Sequence, residues 1–410
     1  MTIPARVPVN APALRDGGSV PAARMHAMCA STSAERASAS RPGLAEFPTI
    51  PVLAWRALHA RSLEPNAYYD PLWALPASRR ARGLSGASAL LAWDEDDRLA
   101  GLLPVRWASK ALHMPVPLLV AWRGYASLTA PLLDRGKPAD AAGGLLDAAR
   151  QTGARALYLP GLTLDGQASA TLTQVAATRS LSVRVLRSYR RAFLDASGDG
   201  DATLRAALGA KKSKELRRQR HRLEDFGPLD FAIARRPGEV ADALEYFLEL
   251  EAKGWKGERG TALMQDAGDA AFIRQAVPAL AAEGRIEIVS LTRNHQTIAS
   301  GLVLRDGGRA FFFKIAMDES EARTSPGVQL TLDLTRHLCS DPDIASADSS
   351  TDSEHPMIDH VWRGRMPIGD VFIALRPRDP AAASIRTLLQ ARMRAIDIFK
   401  TIRGIREKLS

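Results

Sequence analysis

Apolar residues along the chain alternate between two rhythms. Around residues 87–93 and 99–107 they run almost unbroken on either side of the polar stretch 94–97, which predicts a hairpin. Val240, Leu244, Phe247 and Leu248 recur at three- and four-residue steps, which predicts a helix over 239–253. Asp306-Gly307-Gly308 separates two apolar runs, 297–305 and 309–316, as a hairpin turn does. Extended along the chain, the pattern gives helix 52–63, the first hairpin, helix 138–151, strand 155–159, helix 166–179 and strand 181–194. After the polar break Ala-Ser-Gly-Asp-Gly-Asp at 196–201 come a basic helix, strand 229–234, helix 239–253, helix 269–283 and strands 285–291, 297–305 and 309–316. Helix 328–339, strands 344–348 and 371–375, and an arginine-rich helix over 381–408 complete the order.

The fold class expected is α/β with mixed sheets, in two modules of similar plan. The boundaries are a tail over 1–43, a first module over 44–196, a second over 202–377 and a terminal helix over 381–410. No residue-level repeat accompanies the shared plan.

Composition narrows the classes. Hydrophobic residues make up 46% of 410, enough for a sizeable core, and a net charge of +10 points to an anionic partner. The two cysteines, Cys29 and Cys339, form no disulfide framework, and neither CxxC nor HExxH spacing occurs, so no metal is expected and a reducing interior fits. No apolar run is long enough to cross a bilayer, and the N-terminus lacks the apolar segment of a signal peptide. Residues 1–43 are rich in Ala, Pro, Ser and Arg, with Asp16 and Glu35 their acidic residues. That suits a disordered tail, a start codon upstream of Met25 or Met28, or a transit peptide.

Candidate chemistry gathers in the second half. Gly254 to Leu263, GWKGERGTAL, lacks the spacing of a Walker A loop and follows a helix rather than a strand. Gly254 suits a helix cap, Trp255 suits a cleft wall or the core, and Lys256 suits a phosphate or carboxylate. Ser325-Pro326-Gly327 opens a helix, where bare N–H groups and a partial positive charge favour an anion, with Ser325 a candidate cap. From Lys211 to Arg222 there are seven Lys or Arg, of which Lys211, Lys214, Arg218 and Arg222 fall on one helix face. That face suits a phosphorylated lipid, an RNA backbone, a cofactor phosphate, or plain solvent. Asp348 stands at a strand end, and His355, Asp359 and His360 follow it in a polar loop. A histidine carries protons near neutral pH, and a partly buried carboxylate can act as a base.

The stretch FFFKIAMDESEARTSPGVQLTLDLTRHL resembles the strand, pyrophosphate loop and helix of the GNAT superfamily of acyl-CoA-dependent N-acyltransferases. More narrowly, RRQRHRLEDFG, LELEAKGWKG, LVLRDGGRAFFFKIAMDE and SPGVQL are similar to the cellulose-biosynthesis-type acetyltransferases, over about residues 205–375. The first half resembles the degenerate first module of a tandem pair, as in Fem-type aminoacyl transferases. The superfamily loop is R/Q-x-x-G-x-G/A. Here Arg323 stands four positions before Gly327, and Gln329 replaces the last small residue.

The resemblance implies a cytoplasmic acyltransferase that binds acetyl-CoA or another acyl-CoA through Arg323, Ser325, Pro326, Gly327, Val328 and Gln329. The acceptor would be an amine or hydroxyl of a sugar, polysaccharide precursor or envelope metabolite. Direct acyl transfer needs a donor to the carbonyl oxygen, a base for the acceptor and an acid for the leaving group, but no covalent nucleophile. Asp348, His355, Glu251 and Lys314 are the candidates for those tasks, and Trp255, Lys256, Asp359 and His360 for holding the acceptor. Two rivals stand beside this reading. One is a Fem-type transferase fed by aminoacyl-tRNA, which the basic helix and tandem plan favour. The other is a scaffold without catalysis, which Gln329 and the lack of one clear base favour.

Overall fold

The computed structural model describes residues 43–353 and 355–409, with side chains through residue 399. The expected tail, apart from Gly43, lies outside them.

The first half contains strands β1 (Leu44–Glu46), β2 (Ser88–Trp93), β3 (Leu99–Trp107), β4 (Leu118–Ala121), β5 (Leu132–Leu133), β6 (Ala156–Thr163) and β7 (Val183–Asp195). Its helices are α1 (Val52–Ala60), α2 (Pro71–Arg80), α3 (Ala108–Ala111), α4 (Pro138–Gln151) and α5 (Gln167–Thr178). The second half contains β8 (Leu229–Ala234), β9 (Ile286–Arg293), β10 (Gln296–Asp306), β11 (Arg309–Met317), β12 (Ser346–Asp348) and β13 (Gly364–Ala374). Its helices are α6 (Gly200–Glu224), α7 (Pro237–Lys253), α8 (Trp255–Glu258), α9 (Ala267–Ala281), α10 (Pro326–Ser340) and α11 (Pro380–Leu409).

Among the described residues these strands join one sheet in the order β1-β2-β3-β4-β6-β13-β7-β12-β11-β10-β9-β8, with β5 beside β3. Each half supplies an antiparallel meander, then a helix, then a parallel strand: β4 pairs with β6, and β11 with β12. The final strands are exchanged. β7 of the first half lies against β12 of the second, and β13 of the second lies against β6 of the first. Between them β7 and β13 pair over ten register positions. The polar break at 196–201 leads straight into α6, with the Asp199 side chain accepting from the Ala202 amide at 2.6 Å as its cap.

Packing also crosses the halves. Helix α2 starts at an Asp-Pro pair, Asp70 capping the Leu72 amide and Pro71 needing no N–H partner. It lays Trp73, fully buried, edge-on to Phe272 of α9 and Phe313 of β11, each at 4.9 Å between ring centres. Asp70 also takes Arg285, and His59 of α1 stands 3.4 Å from Asp306, so polar contacts clip α1 and α2 to the ends of β9 and β10. A second apolar cluster lies under α10 around Phe312, Leu330 and Trp362, and a third under α11.

Candidate functional site

Parallel pairing between β11 and β12 stops at Phe311–Asp348, although β11 continues to Met317. A bulge at the same level, between Leu302 and Val303 on the β10 side, shifts Phe313 out of register. β12 ends there, and beside its end lies a cleft of about 580 Å³. Its walls come from both halves: Arg82, Arg123, Tyr125 and Ser127 from the first, Arg191 from β7, and Asp269, Phe313, Ser350 and Asp352 from the second.

Arg191 and Asp348 anchor the floor. Both are buried, at 1% and 0% exposure, and Arg191 Nη1 donates to Asp348 Oδ2 at 3.1 Å. Arg191 Nη2 also donates to the Ser127 carbonyl and to Tyr189 Oη. Asp348 further accepts the Ser350 amide at 2.8 Å. A carboxylate held this way is a counter-ion, so the role of free base expected for Asp348 does not suit its geometry. Tyr68 Oη lies 2.7 Å from Ser350 Oγ, and burial together with the Asp348 charge pushes its pKa up to about 12. Its hydroxyl therefore keeps its proton near neutral pH.

Next to the cleft sits a second charged group. Glu251, on the last turn of α7, accepts Lys256 Nζ at 3.1 Å, Lys314 Nζ at 2.9 Å and the Leu263 amide at 2.9 Å. Burial raises its carboxyl pKa, but the two lysines and the amide outweigh burial, and the net shift is downward. Glu251 is therefore an ionised anchor for two lysines rather than a base. Lys256 also donates to the Ile315 carbonyl at 3.0 Å, on the part of β11 that β12 does not reach. Burial and the Lys314 charge lower the Lys256 pKa, against the pull of Glu251.

The turn that delivers Lys256 explains GWKGERGTAL. Gly254 ends α7 in an extended conformation and α8 follows at once. A Cβ on Gly257 would lie 1.8 Å from the Ala252 carbonyl oxygen, so only glycine lets the chain fold back this closely. Trp255 is 46% exposed, so it does not plug the core, and it lies under Arg259 and Lys256 at 5.1 and 5.9 Å.

His355 is half-buried beside this group. Burial and the Lys256 charge lower its pKa, opposed by Asp359 and Asp352. It is thus mainly neutral at pH 7, and its Nδ1 accepts the Met357 amide at 3.4 Å. Asp359 is paired with Arg365 at 3.5 Å, and His360 is exposed.

The expected phosphate loop has a different environment from the one its residues suggest. Ser325 occupies the cap position of α10 in the left-handed region, φ 53°, and its side chain makes no cap bond; its carbonyl accepts Val328 and Gln329 instead. Gln329 is buried and donates to the Leu216 carbonyl of α6 at 2.9 Å. Val328 packs into the apolar cluster under α10, and Arg323 is exposed. Pro326 and Gly327 are buried, and a Cβ on Gly327 would meet the sulfurs of Met317 and Met357 at 3.1 Å. Met317 and Met357 therefore pack on the side of Gly327 that faces β11.

The structure thus brings Glu251, Lys256 and Lys314 together, sets Trp255 against Lys256, places His355 where both Asp359 and Lys256 act on its charge, and leaves His360 and Arg323 exposed. Tyr68, Tyr125, Asp269 and Arg191 were not singled out from sequence. Arg191 carried a usable signal, an arginine directly before the apolar run Ala192-Phe193-Leu194. Tyr125 and Asp269 reach the cleft only through the packing of the two halves, and Tyr68 is buried behind Ser350 in the same way. Among the described residues, no group of three or more His, Cys, Asp or Glu could hold a metal ion.

Comparison with known proteins agrees with this architecture. Residues 210–355 match the acetyltransferase (GNAT) domain family. No curated protein matches the chain. Among solved structures, FemX superposes with a TM-score of 0.53 at 10% identity, covering 83% of this chain and 98% of its own. The C-terminal domain of an Agrobacterium fabrum protein named as a lysylphosphatidylglycerol synthetase gives 0.52 at 14% identity, covering 82% and 95%. L-PGS from Bacillus licheniformis gives 0.50 at 12% identity, covering 85% and 97%. At such identities the likeness is one of fold. The chain has the GNAT-superfamily fold in two tandem modules, and with the acetyltransferase domain in its second module it is an acyltransferase.

Proposed function

We propose that the chain transfers an aminoacyl group from the ester of a charged tRNA to an amine or hydroxyl acceptor held in the cleft between the modules. The observation that carries this reading is the exposed basic run of α6, beside a start of α10 where the Val328 and Gln329 amides are already taken by the Ser325 carbonyl and Met317 and Met357 pack on Gly327. An aminoacyl ester at an RNA end requires no such cradle. The exposed lysines and arginines of α6 support an RNA phosphate partner, with Lys211, Lys212, Lys214, Arg217 and Arg222 all facing solvent. The tandem likeness to FemX and to structures named for lysylphosphatidylglycerol synthesis supports it as well.

In this reading His355 takes the proton of the acceptor on Nδ1, which gives up its long 3.4 Å contact with the Met357 amide, and the acceptor nitrogen or oxygen then bonds to the ester carbonyl carbon. Negative charge develops on the carbonyl oxygen, and the ammonium of Lys314 or Lys256 offsets it. The carbon–oxygen bond to the ribose breaks, and the ribose oxygen takes the proton back from His355. Glu251 keeps both lysines in place. A cytoplasmic setting belongs to the same proposal, as does a less active, degenerate first module. An envelope or polysaccharide precursor as acceptor rests on the likeness to cellulose-biosynthesis-type acetyltransferases.

An acyl-CoA donor is the second reading, favoured by the Ser-Pro-Gly start of α10 and by the acetyltransferase domain match. Binding separates the two. Salt-sensitive binding of aminoacyl-tRNA without acetyl-CoA binding supports the first. Acetyl-CoA binding that Gly327→Trp abolishes supports the second.

A further inference from the structure

The long helix α11 has two unlike parts. Its first half is docked: Arg155 grips Asp379 in a two-pronged pair at 2.6 and 2.7 Å, and Ala382, Ile385 and Leu389 are buried against Tyr158 and Phe372. Beyond Met393 the described large apolar side chains stand exposed. Ile396 is 39% exposed, Ile398 61% and Phe399 69%, and Leu388, three turns before Phe399 on the same stripe, is 53%. In the sequence, Ile398, Ile402, Ile405 and Leu409 continue at four-, three- and four-residue steps. Between them stand Lys400, Arg403, Arg406 and Lys408, preceded by Arg394, with Asp397 and Glu407 as the acidic residues.

We infer that this half of α11 is a docking surface for an anionic lipid bilayer, on which it lies flat. Its partner must offer apolar bulk and negative charge together. In the sequence the apolar positions fall on one arc of the helix, with Arg406 among them and Arg394, Lys400, Arg403 and Lys408 to either side, and such a pattern meets both at the headgroup boundary. A second copy of the helix would set like charge against like, and the apolar repeat is too short for a stable coiled coil. No described helix is long and apolar enough to cross a membrane, so this contact is peripheral.

The position gives the contact a use. Asp397 pairs with Arg187 of β7 at 3.5 Å, and Arg187 also donates to Asp370 at 3.1 Å. Arg187, Tyr189 and Arg191 lie two residues apart on one face of β7, and Arg191 lines the cleft. The uncovered half of α11 therefore begins beside the strand that runs into the cleft, and a bilayer held there would bring a headgroup acceptor near its mouth. The inference does not depend on which donor the enzyme uses.

The test is co-sedimentation of the full chain with phosphatidylcholine vesicles, with and without phosphatidylglycerol, at low and high salt. Binding to the anionic vesicles is expected to be about tenfold or more tighter, and weakened by salt. The double variant Ile398→Glu/Phe399→Glu should lose about tenfold or more while keeping its helical circular dichroism and melting temperature. Arg394→Glu should weaken anionic binding without affecting binding to neutral vesicles. A folded chain that ignores both vesicles overturns the proposal, as does a double variant that binds unchanged. So does a dimer, seen by light scattering, that the double variant dissociates.

Discussion

The two modules use the junction between a parallel strand pair and its helix in opposite ways. In the first, the chain from Trp122 to Lys137 fills the space beside β4 and β6. Trp122 packs on Phe47 at 5.2 Å, Tyr69 Oη donates to the Trp122 carbonyl, and Asn66 donates to the Ala130 carbonyl. The Thr129 amide reaches the Gly161 carbonyl of β6, and β5 is added to β3. In the second, the connection 318–325 is shorter, and the stretch of β11 beyond its pairing with β12 meets side chains instead: Lys256 on the Ile315 carbonyl, Lys314 with Glu251, and Met317 and Met357 against Gly327. A junction filled by backbone hydrogen bonds serves stability. A junction lined by ionisable side chains can serve chemistry, at the cost of buried charge that must be paired.

That contrast can be broken experimentally. The largest effect on stability is expected for Asp348→Asn, which leaves Arg191 buried without its counter-ion. It should cost roughly 3–5 kcal/mol in denaturant unfolding. Lys314→Met should leave folding nearly intact and lower kcat about 10²–10³-fold, the usual loss when one oxyanion donor is removed. His355→Gln should cost about 10²-fold. In the parent enzyme kcat/KM should rise with pH through a value below the ordinary 6.5 of histidine, because burial and Lys256 disfavour its charged form, and should be level near pH 7. Glycine sharpens the comparison. A Cβ on Gly144 of α4 would lie 2.7 Å from the Cβ of Ala92, which cannot swing away, so Gly144→Ala should cost about 1–3 kcal/mol. Gly327→Ala meets flexible methionine sulfurs at 3.1 Å and gains helix propensity, so it should cost less than about 1 kcal/mol.

Acid should expose the same arrangement. Glu251 in the second junction has a folded-state pKa below its ordinary 4.5, as Lys314 and Lys256 overcome its burial. Its stabilising contribution is therefore full above pH 4.5 and is lost as pH falls through the lowered value. Glu251→Gln should flatten stability against pH in that window, measured by urea unfolding.

Much of the fold was legible from local pattern. The hairpin expected at 87–93 and 99–107 is β2 and β3, and Asp306-Gly307-Gly308 turns β10 into β11. Helix α2 escaped because Pro76 interrupts its pattern, and β4 because Pro115 and Pro117 precede four apolar residues. Strand β13 begins at Gly364 rather than 371, since Pro367 and Gly369 mask its rhythm. The exchange of β7 and β13 leaves no local trace, because pairing partners do not alter the period of a strand. The site was half legible. GWKGERGTAL advertised Lys256, and the end of α7 advertised Glu251, but their union with Lys314 is tertiary. Ser325-Pro326-Gly327 reads as an anion site, and the packing of Met317 and Met357 on Gly327 is a tertiary feature with no mark in the sequence.

Titration calorimetry with acetyl-CoA and with aminoacyl-tRNA, on the same purified chain, tests the donor assignment most directly. The account predicts salt-sensitive micromolar binding of aminoacyl-tRNA and no heat from acetyl-CoA. Micromolar acetyl-CoA binding, abolished in Gly327→Trp, with no affinity for the charged tRNA, would contradict it.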